Sequence, residues 1–163
     1  MLELIQFKHE HWESCYQDWF DIDTQRGFNF IPTWHDIAEY IKLMENHKYI
    51  INAMISDNGI ICGHITVSDK EYSDIAVWIF KKYRKRGIAK SAIISVINEL
   101  REKHKCSYLY AGIYKENDIS MHLFRELGFE YYGQGEIERE IFTGKETYQV
   151  IYKKELVREW NFT

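Results

Sequence analysis

The run Arg84-Lys85-Arg86-Gly87-Ile88-Ala89, followed by Lys90, combines residue types suited to holding an anion. Four of these residues carry positive charge, and Gly87 and Ala89 are small enough to let a bulky phosphate approach the backbone. Ile88, Ala89, Ala92, Ile93, Val96, Ile97 and Leu100 recur at three-to-four spacing, so a long helix begins here. The first turn of a helix has unpaired N–H groups and the positive end of the macrodipole. Cations are disfavoured there; an anion would relieve their repulsion and take up the free donors. The same residues also describe a bare, solvated helix start with a Gly for the turn, and residue chemistry alone leaves both readings open. Two other phosphate motifs fail. A Walker A loop needs Gly-Lys-Ser/Thr and a further Gly six positions before the Lys, but Lys90-Ser91 follows Ala89, and position 84 is Arg. The dinucleotide pattern survives only as Gly87-x-Ala89-x-x-Ala92.

Other chemistry-bearing residues are scattered. The histidines (His9, His11, His35, His47, His64, His104 and His122) show no helix-face metal spacing with a third ligand in view, so no metal is expected. His64, on a strand, is the one that could serve as a base. Cys15, Cys62 and Cys106 are odd in number and widely spaced, which reads as free thiols in a reducing cytoplasm. The N-terminus lacks a secretory signal pattern, and no stretch is apolar enough to span a membrane. Residues 1–46 carry nine acids against three bases, a balance of −6 in a chain of net charge −4. By contrast, Lys81–Lys90 holds six bases and no acid. An acidic part beside a basic patch suits a cationic and an anionic ligand meeting in one protein, although charge runs are commonly just solvated surface. An acidic chain with so short a basic patch argues against direct nucleic-acid binding.

The elements that must position these residues follow from periodicity. Leu2–Phe7 reads as a strand, and His9–Phe20 and Thr33–Asn46 as helices, the second capped by Thr33 after Pro32. Asp21–Ile31 between them reads as a loop rich in acids and aromatics. Tyr49–Ser56 and Ile60–Ser68 flank Asp57-Asn58-Gly59, a strong hairpin signal. Ser73–Phe80, nearly all apolar, reads as a central strand. After the long helix come a strand at Ser107–Tyr114, a short helix at Asp118–Leu127 ended by Gly128, and a hairpin of Glu130–Phe142 with Glu146–Lys154. No linker or repeat is found. The expected fold is a mixed α/β (α+β) domain spanning residues 1–163. It has a single, largely antiparallel central sheet of about seven strands, flanked by about four helices.

Arg84-x-x-Gly87-x-Ala89, entered from a strand and leading into a helix, resembles the acyl-CoA signature Gln/Arg-x-x-Gly-x-Gly/Ala of the GNAT superfamily of N-acetyltransferases. A second motif of that family follows at the right distance, Asn117-x-x-Ser120-x-x-x-Phe124-x-x-x-Gly128-Phe129. Two motifs in order are far more specific than either alone. The resemblance covers the region from Ile50 to Lys154; residues 1–48 match only in having a strand and two helices.

The resemblance implies acetyl-CoA as co-substrate and a primary amine, small molecule or peptide, as acceptor. Residues 49–154 would form the acyl-CoA-binding core and 1–48 the variable acceptor side. The backbone of Lys85, Arg86, Gly87, Ile88, Ala89 and Lys90 would hold the pyrophosphate, with Arg84 opening the motif. Val77, Trp78 and Ile79 would pair with the pantetheine arm, and their N–H groups could polarise the thioester carbonyl. Asn117 would contact the cofactor while also serving as an N-cap. Asp74, at the start of the central strand, matches the position of a base, needed because a protonated amine is no nucleophile. A second base position of the family falls on Gly112, which cannot serve. Phe124 stands at the cofactor where the family often has a Tyr to protonate the departing thiolate. Either the thiolate leaves unassisted, which its modest pKa permits, or Tyr83, Tyr114 or Tyr131 substitutes. An acceptor wall of Trp12, Tyr16, Trp19, Asp21, Asp23 and Trp34 would attract and pack a cationic amine, although these aromatics could equally fill a core. The missing Tyr also leaves room for a non-catalytic acyl-CoA-binding sensor or scaffold. A homodimer stays open.

Overall fold

The computed structural model describes residues 1–103 and 105–156; His104 lies outside these. Four strands, β1 (Leu2–Gln6), β2 (Tyr49–Asp57), β3 (Ile60–Ser68) and β4 (Ile75–Ile79), pair antiparallel in chain order. The β2–β3 turn uses Asn58 and Gly59, both at positive φ (50° and 82°), as the tight hairpin connection requires. A second group has the order β5 (Tyr108–Tyr114), β9 (Gln149–Glu155), β6 (Glu130–Gln134), again antiparallel. The two groups meet at one parallel bridge, Asp74 with Tyr110, where the Tyr110 N–H donates to the Ser73 carbonyl at 2.9 Å. A two-residue pair, β7 (Glu138–Arg139) with β8 (Glu146–Thr147), caps the β6–β9 connection.

Helices cover both faces. α4 (Ile88–Glu102) and α5 (Asp118–Glu126) pack on one. The predicted stripe of α4 is the buried one: Ile88, Ala92, Ile93, Val96, Ile97 and Leu100 join Ile65, Val67 and Leu109 in the main core. On the other face, α1 (Trp12–Asp18) and α3 (Ile37–Met44) enclose an aromatic core around Trp12, Cys15, Trp19, Tyr40 and Met54. Alternate residues of β2 serve the two cores, with Met54 in one and Ala53 and Ile55 in the other.

Two local expectations are corrected. The segment read as a loop at Asp21–Ile31 contains a helix, α2 (Ile22–Phe28), capped by the Asp21 carboxylate on the Thr24 N–H at 3.1 Å. The N-cap of α3 is Asp36 rather than Thr33. The Asp36 carboxylate accepts from the Glu39 N–H at 2.9 Å, while Glu39 reaches back to the His35 N–H at 2.7 Å. These reciprocal bonds satisfy helix-start donors that Thr33 is too early to reach.

Candidate acyl-CoA and amine site

Beyond the Asp74–Tyr110 bridge, no ladder joins β4 to β5 among the described residues. The two strands diverge and open a cleft of about 2000 Å³. That exceeds the several hundred Å³ of a drug-sized pocket and suits an extended ligand. α2, β4, the start of α4, α5 and the β8–β9 region line it.

At one end of the cleft is the segment rich in bases. Gly87 is the N-cap of α4 at φ 71°, with no side chain capping the helix, and Lys85 is also left-handed at φ 66°. The helix therefore begins with its first N–H groups free and two left-handed residues bending the chain around them, a geometry that suits an oxyanion. A Cβ on Gly87 would meet nothing within 4 Å, so glycine is needed here for its φ and the space in front of it is open. Lys85 and Arg86 are exposed. Lys90 pairs at 3.6 Å with Glu126 of α5, which also meets His122 at 3.1 Å.

The edge of β4 forms the next stretch. Val77 pairs in register with Ile65, and Trp78 with His64. The flanking bonds, from the Ser68 N–H to the Asp74 carbonyl and from the Phe80 N–H to the Cys62 carbonyl, mark the even-numbered residues of β4 as those bonded to β3. Val77 and Ile79 consequently turn their backbone groups to the cleft, while Trp78 turns its own to β3 and lays its indole against Trp19, Phe28 and His64. The Ile79 carbonyl is taken by Arg84 Nε at 2.9 Å.

Arg84 points away from the open helix start. Its guanidinium donates to Asp21 at 2.8 Å and to the Thr24 hydroxyl at 2.8 Å, and lies 3.8 Å from Asp18 and 3.7 Å from Asp23. Burial pushes the Asp21 carboxyl up, but hydrogen bonds and charge from Arg84 and Thr24 outweigh it and leave that carboxyl below the usual range. The acids expected to attract an amine are thus largely answered by Arg84, with Lys81 Nζ a further 3.6 Å contact to Asp21. Of the expected wall, Asp23 lines the cleft, whereas Trp12 and Trp19 are buried in the aromatic core.

The opposite side of the cleft is built from β5 and β9, which meet the start of β4 at the Asp74 bridge. Asp74 is exposed there and accepts a hydrogen bond from the Ser68 hydroxyl. Gly112 lines the cleft too; a Cβ on it would come within 2.6 Å of Gln149 Oε1, so Gln149 holds the space that a base side chain would need. The Tyr114 hydroxyl donates to Glu138 at 3.0 Å, and burial together with that carboxylate pushes its pKa up to about 12. Tyr83 lines the cleft, whereas Tyr131 lies outside it and is largely exposed. Phe124 is buried on the cleft wall, edge-on to Phe129 at 5.0 Å. Asn117 caps α5, accepting from the Ser120 N–H at 3.2 Å, and also lines the cleft. His64 is outside the cleft lining. It is buried, bonded through Nε2 to Asn52 at 2.6 Å, and burial lowers its pKa to about 4.

Sequence reasoning missed a stitch across the cleft. Asn29, left-handed at φ 50°, caps the end of α2. Its amide donates to the Arg139 carbonyl at 3.0 Å and accepts from the Ile141 N–H at 2.9 Å. Arg26 lies over the Phe142 ring at 5.3 Å. The sequence signal was a helix-ending Asn, visible only once α2 is known.

Strands that part beside a helix start loaded with cations define a fold able to take an extended, phosphate-bearing ligand between them. Residues 5–129 match the family described as Acetyltransferase (GNAT) family, and the chain belongs to it. It is 27% identical over 71 residues to the spermine/spermidine N(1)-acetyltransferase of Bacillus subtilis (strain 168), a match covering 40% of this chain and 47% of that protein. The chain spans about half the length of the curated relatives it matches. Its fold is that of the spermidine N-acetyltransferase from Vibrio cholerae solved with CoA and spermine (TM-score 0.81, 13% identity, 95% of each chain). It is also that of an N-acetyltransferase from Staphylococcus aureus Mu50 (TM-score 0.77, 19% identity, 96% of this chain and 99% of that one).

Proposed function

We propose that this protein transfers an acetyl group from acetyl-CoA to a primary amine of a small cationic molecule. The single observation that carries the proposal is the free inner edge of β4 leading to the uncapped start of α4. The residues fit the co-substrate: Gly87 faces open space, and Val77 and Ile79 present backbone groups to the cleft. Acetyl-CoA supplies the thioester. The N–H groups from Lys85 to Lys90 hold its pyrophosphate, and the lysine and arginine side chains add positive charge. Val77 through both backbone groups and Ile79 through its N–H bind the pantetheine amides as a neighbouring strand would, with Trp78 forming wall rather than ladder. A β4 N–H also stabilises negative charge developing on the thioester oxygen. Asn117 and Phe124 flank the arm from α5.

Asp74 takes the proton that the acceptor ammonium must lose before its nitrogen attacks. The CoA sulfur would leave as thiolate without help from a protein acid, because a thiol pKa is about 8.5. Tyr114 is a poor proton donor for it, since its hydroxyl is already committed to Glu138. The stitch from Asn29 to Ile141 crosses the acceptor side, which favours a small amine over a protein surface. Residues 49–154 act as the acyl-CoA-binding part, and residues 1–48 cover the acceptor side. The spermine/spermidine relative supports a cationic acceptor.

Release of CoA thiol from acetyl-CoA across a panel of amines tests the reading, with turnover expected for diamines and polyamines. Asp74→Asn should lower kcat about tenfold or more near neutral pH with little change in acetyl-CoA affinity. An acetyl-CoA thermal shift without thiol release from any amine would select the second reading, a non-catalytic acyl-CoA-binding domain, which Phe124 favours.

A further inference from the structure

A cluster of tyrosines lies where the two halves of the sheet meet, at the end of the cleft away from α4. Tyr72 packs edge-on against Tyr110 at 5.3 Å, and Tyr110 against Tyr132 at 5.4 Å. All three line the cleft, and Tyr72 and Tyr132 are more than half exposed. The cluster already holds a cation. Lys153 Nζ, from β9, lies 4.0 Å from the ring centre of Tyr108, 5.0 Å from that of Tyr132 and 5.7 Å from that of Tyr110. An ammonium among aromatic faces is held by their quadrupoles, and at an exposed site that hold is weak enough to exchange.

Building on the acetyl-transfer reading, we propose that this tyrosine cluster is the subsite for a second ammonium of the acceptor, which displaces Lys153 from the rings. Position supports the assignment. Tyr110 is the bridge partner of Asp74, the residue that takes the proton from the reacting nitrogen, so the cluster lies directly beside the reacting end. That spacing is within the reach of a short extended diamine such as cadaverine. Glu71 and Asp74, also on the cleft wall, outnumber Lys70 beside them and leave the negative balance that a dication needs. Lys153 acts as the internal competitor, so acceptors with one nitrogen gain nothing from the cluster.

Cadaverine and pentylamine share a chain length and differ by one ammonium, so the ratio of their kcat/KM values reads the subsite. The wild-type protein is expected to favour cadaverine about tenfold, and Tyr72→Leu and Tyr132→Leu each to cut that preference about threefold or more. Lys153→Met should increase it. A retained acetyl-CoA thermal shift verifies that each variant is folded. A ratio near one in the wild type, or a preference surviving both tyrosine substitutions, overturns the subsite and leaves acetyl transfer standing. If neither amine releases CoA, the thermal shift given by cadaverine in the presence of CoA becomes the readout. Its loss in Tyr132→Leu upholds the subsite while acetyl transfer fails, and its persistence or absence from the start overturns the subsite as well.

Discussion

The two ends of the cleft are built in opposite ways. The α4 end is a single run, Arg84 to Lys90, whose shape comes from two left-handed residues and the start of a helix. The end proposed for the acceptor draws on α2, β4, β5, the β7–β8 pair and β9, brought together over separations such as the 112 residues between Asn29 and Ile141. The first can be altered one function at a time. The second cannot, because its groups hold one another. Arg84 belongs to both: it precedes the cradle in sequence, yet its guanidinium serves α2.

Arg84→Met should give the largest effect and show that Arg84 belongs with the acceptor side. Removing the guanidinium takes the nearest cation from the carboxylates of Asp18 and Asp21, whose side chains are only 6% and 8% exposed, and leaves Asp21 the Lys81 ammonium at 3.6 Å and both of them the Thr24 hydroxyl. Breaking a buried pair from one side costs about 3 kcal/mol. Chemical denaturation should show that loss, and adding Asp21→Asn should recover part of it, the signature of a shared partner. If Arg84→Met instead left stability intact and weakened acetyl-CoA alone, the arginine would be a phosphate ligand.

Gly87→Glu probes the other end. The substitution places an L side chain at φ 71° and a negative charge at the free N–H groups. Acetyl-CoA affinity should fall about a hundredfold, equivalent to about 2.7 kcal/mol, with a smaller loss of stability because the side chain meets open space. Titration calorimetry with acetyl-CoA checks this. An unchanged affinity would remove the α4 start from the site.

The contrast also explains what the sequence could disclose. The cradle is contiguous, so its residue types and the helix period after it were legible together, as were the β2–β3 hairpin and the buried stripe of α4. α2 was not legible. Its sequence Ile-Asp-Thr-Gln-Arg-Gly-Phe contains weak helix formers. What holds it is Arg84, bonded to Thr24 across 60 residues of chain. The acids before and within α2 read as bait for a cation for the same reason: their arginine partner lies in another motif. Trp12 and Trp19 carried no mark distinguishing a pocket wall from a core. Tyr110, Tyr132 and Lys153 sit on three strands, and their pairing depends on register that no local pattern reveals.

His64 gives a smaller, pH-dependent effect that separates the aromatic core from the cleft. Its pKa is held near 4 in the folded protein by burial, against about 6.5 when unfolded. The folded state therefore favours the neutral ring. The resulting stability is fully present above about pH 6.5 and is lost as pH falls toward 4, amounting to about 2 kcal/mol by pH 5. Denaturation curves at pH 7 and pH 5 should show a loss of stability of which His64→Gln removes about that amount. Were His64 the base in the cleft, the same substitution would abolish turnover at pH 7; it is expected to leave kcat within about threefold.

Phe124→Tyr is expected to change least, and it asks whether the α5 wall is packing or chemistry. The ring is 5% exposed, edge-on to Phe129, with part of its surface on the cleft. A hydroxyl directed into the cleft stays hydrated and costs under about 1 kcal/mol, whereas one directed into the core would lack a partner and cost about 1–3 kcal/mol. The cleft-facing outcome is expected, with kcat rising by no more than about threefold, since a thiolate leaves well without help. A rise of about a hundredfold would mean that expulsion of the thiolate limits the wild-type protein and that Phe124 is the cause. A fall in both stability and turnover would make Phe124 a packing residue whose position sets the width of the cleft.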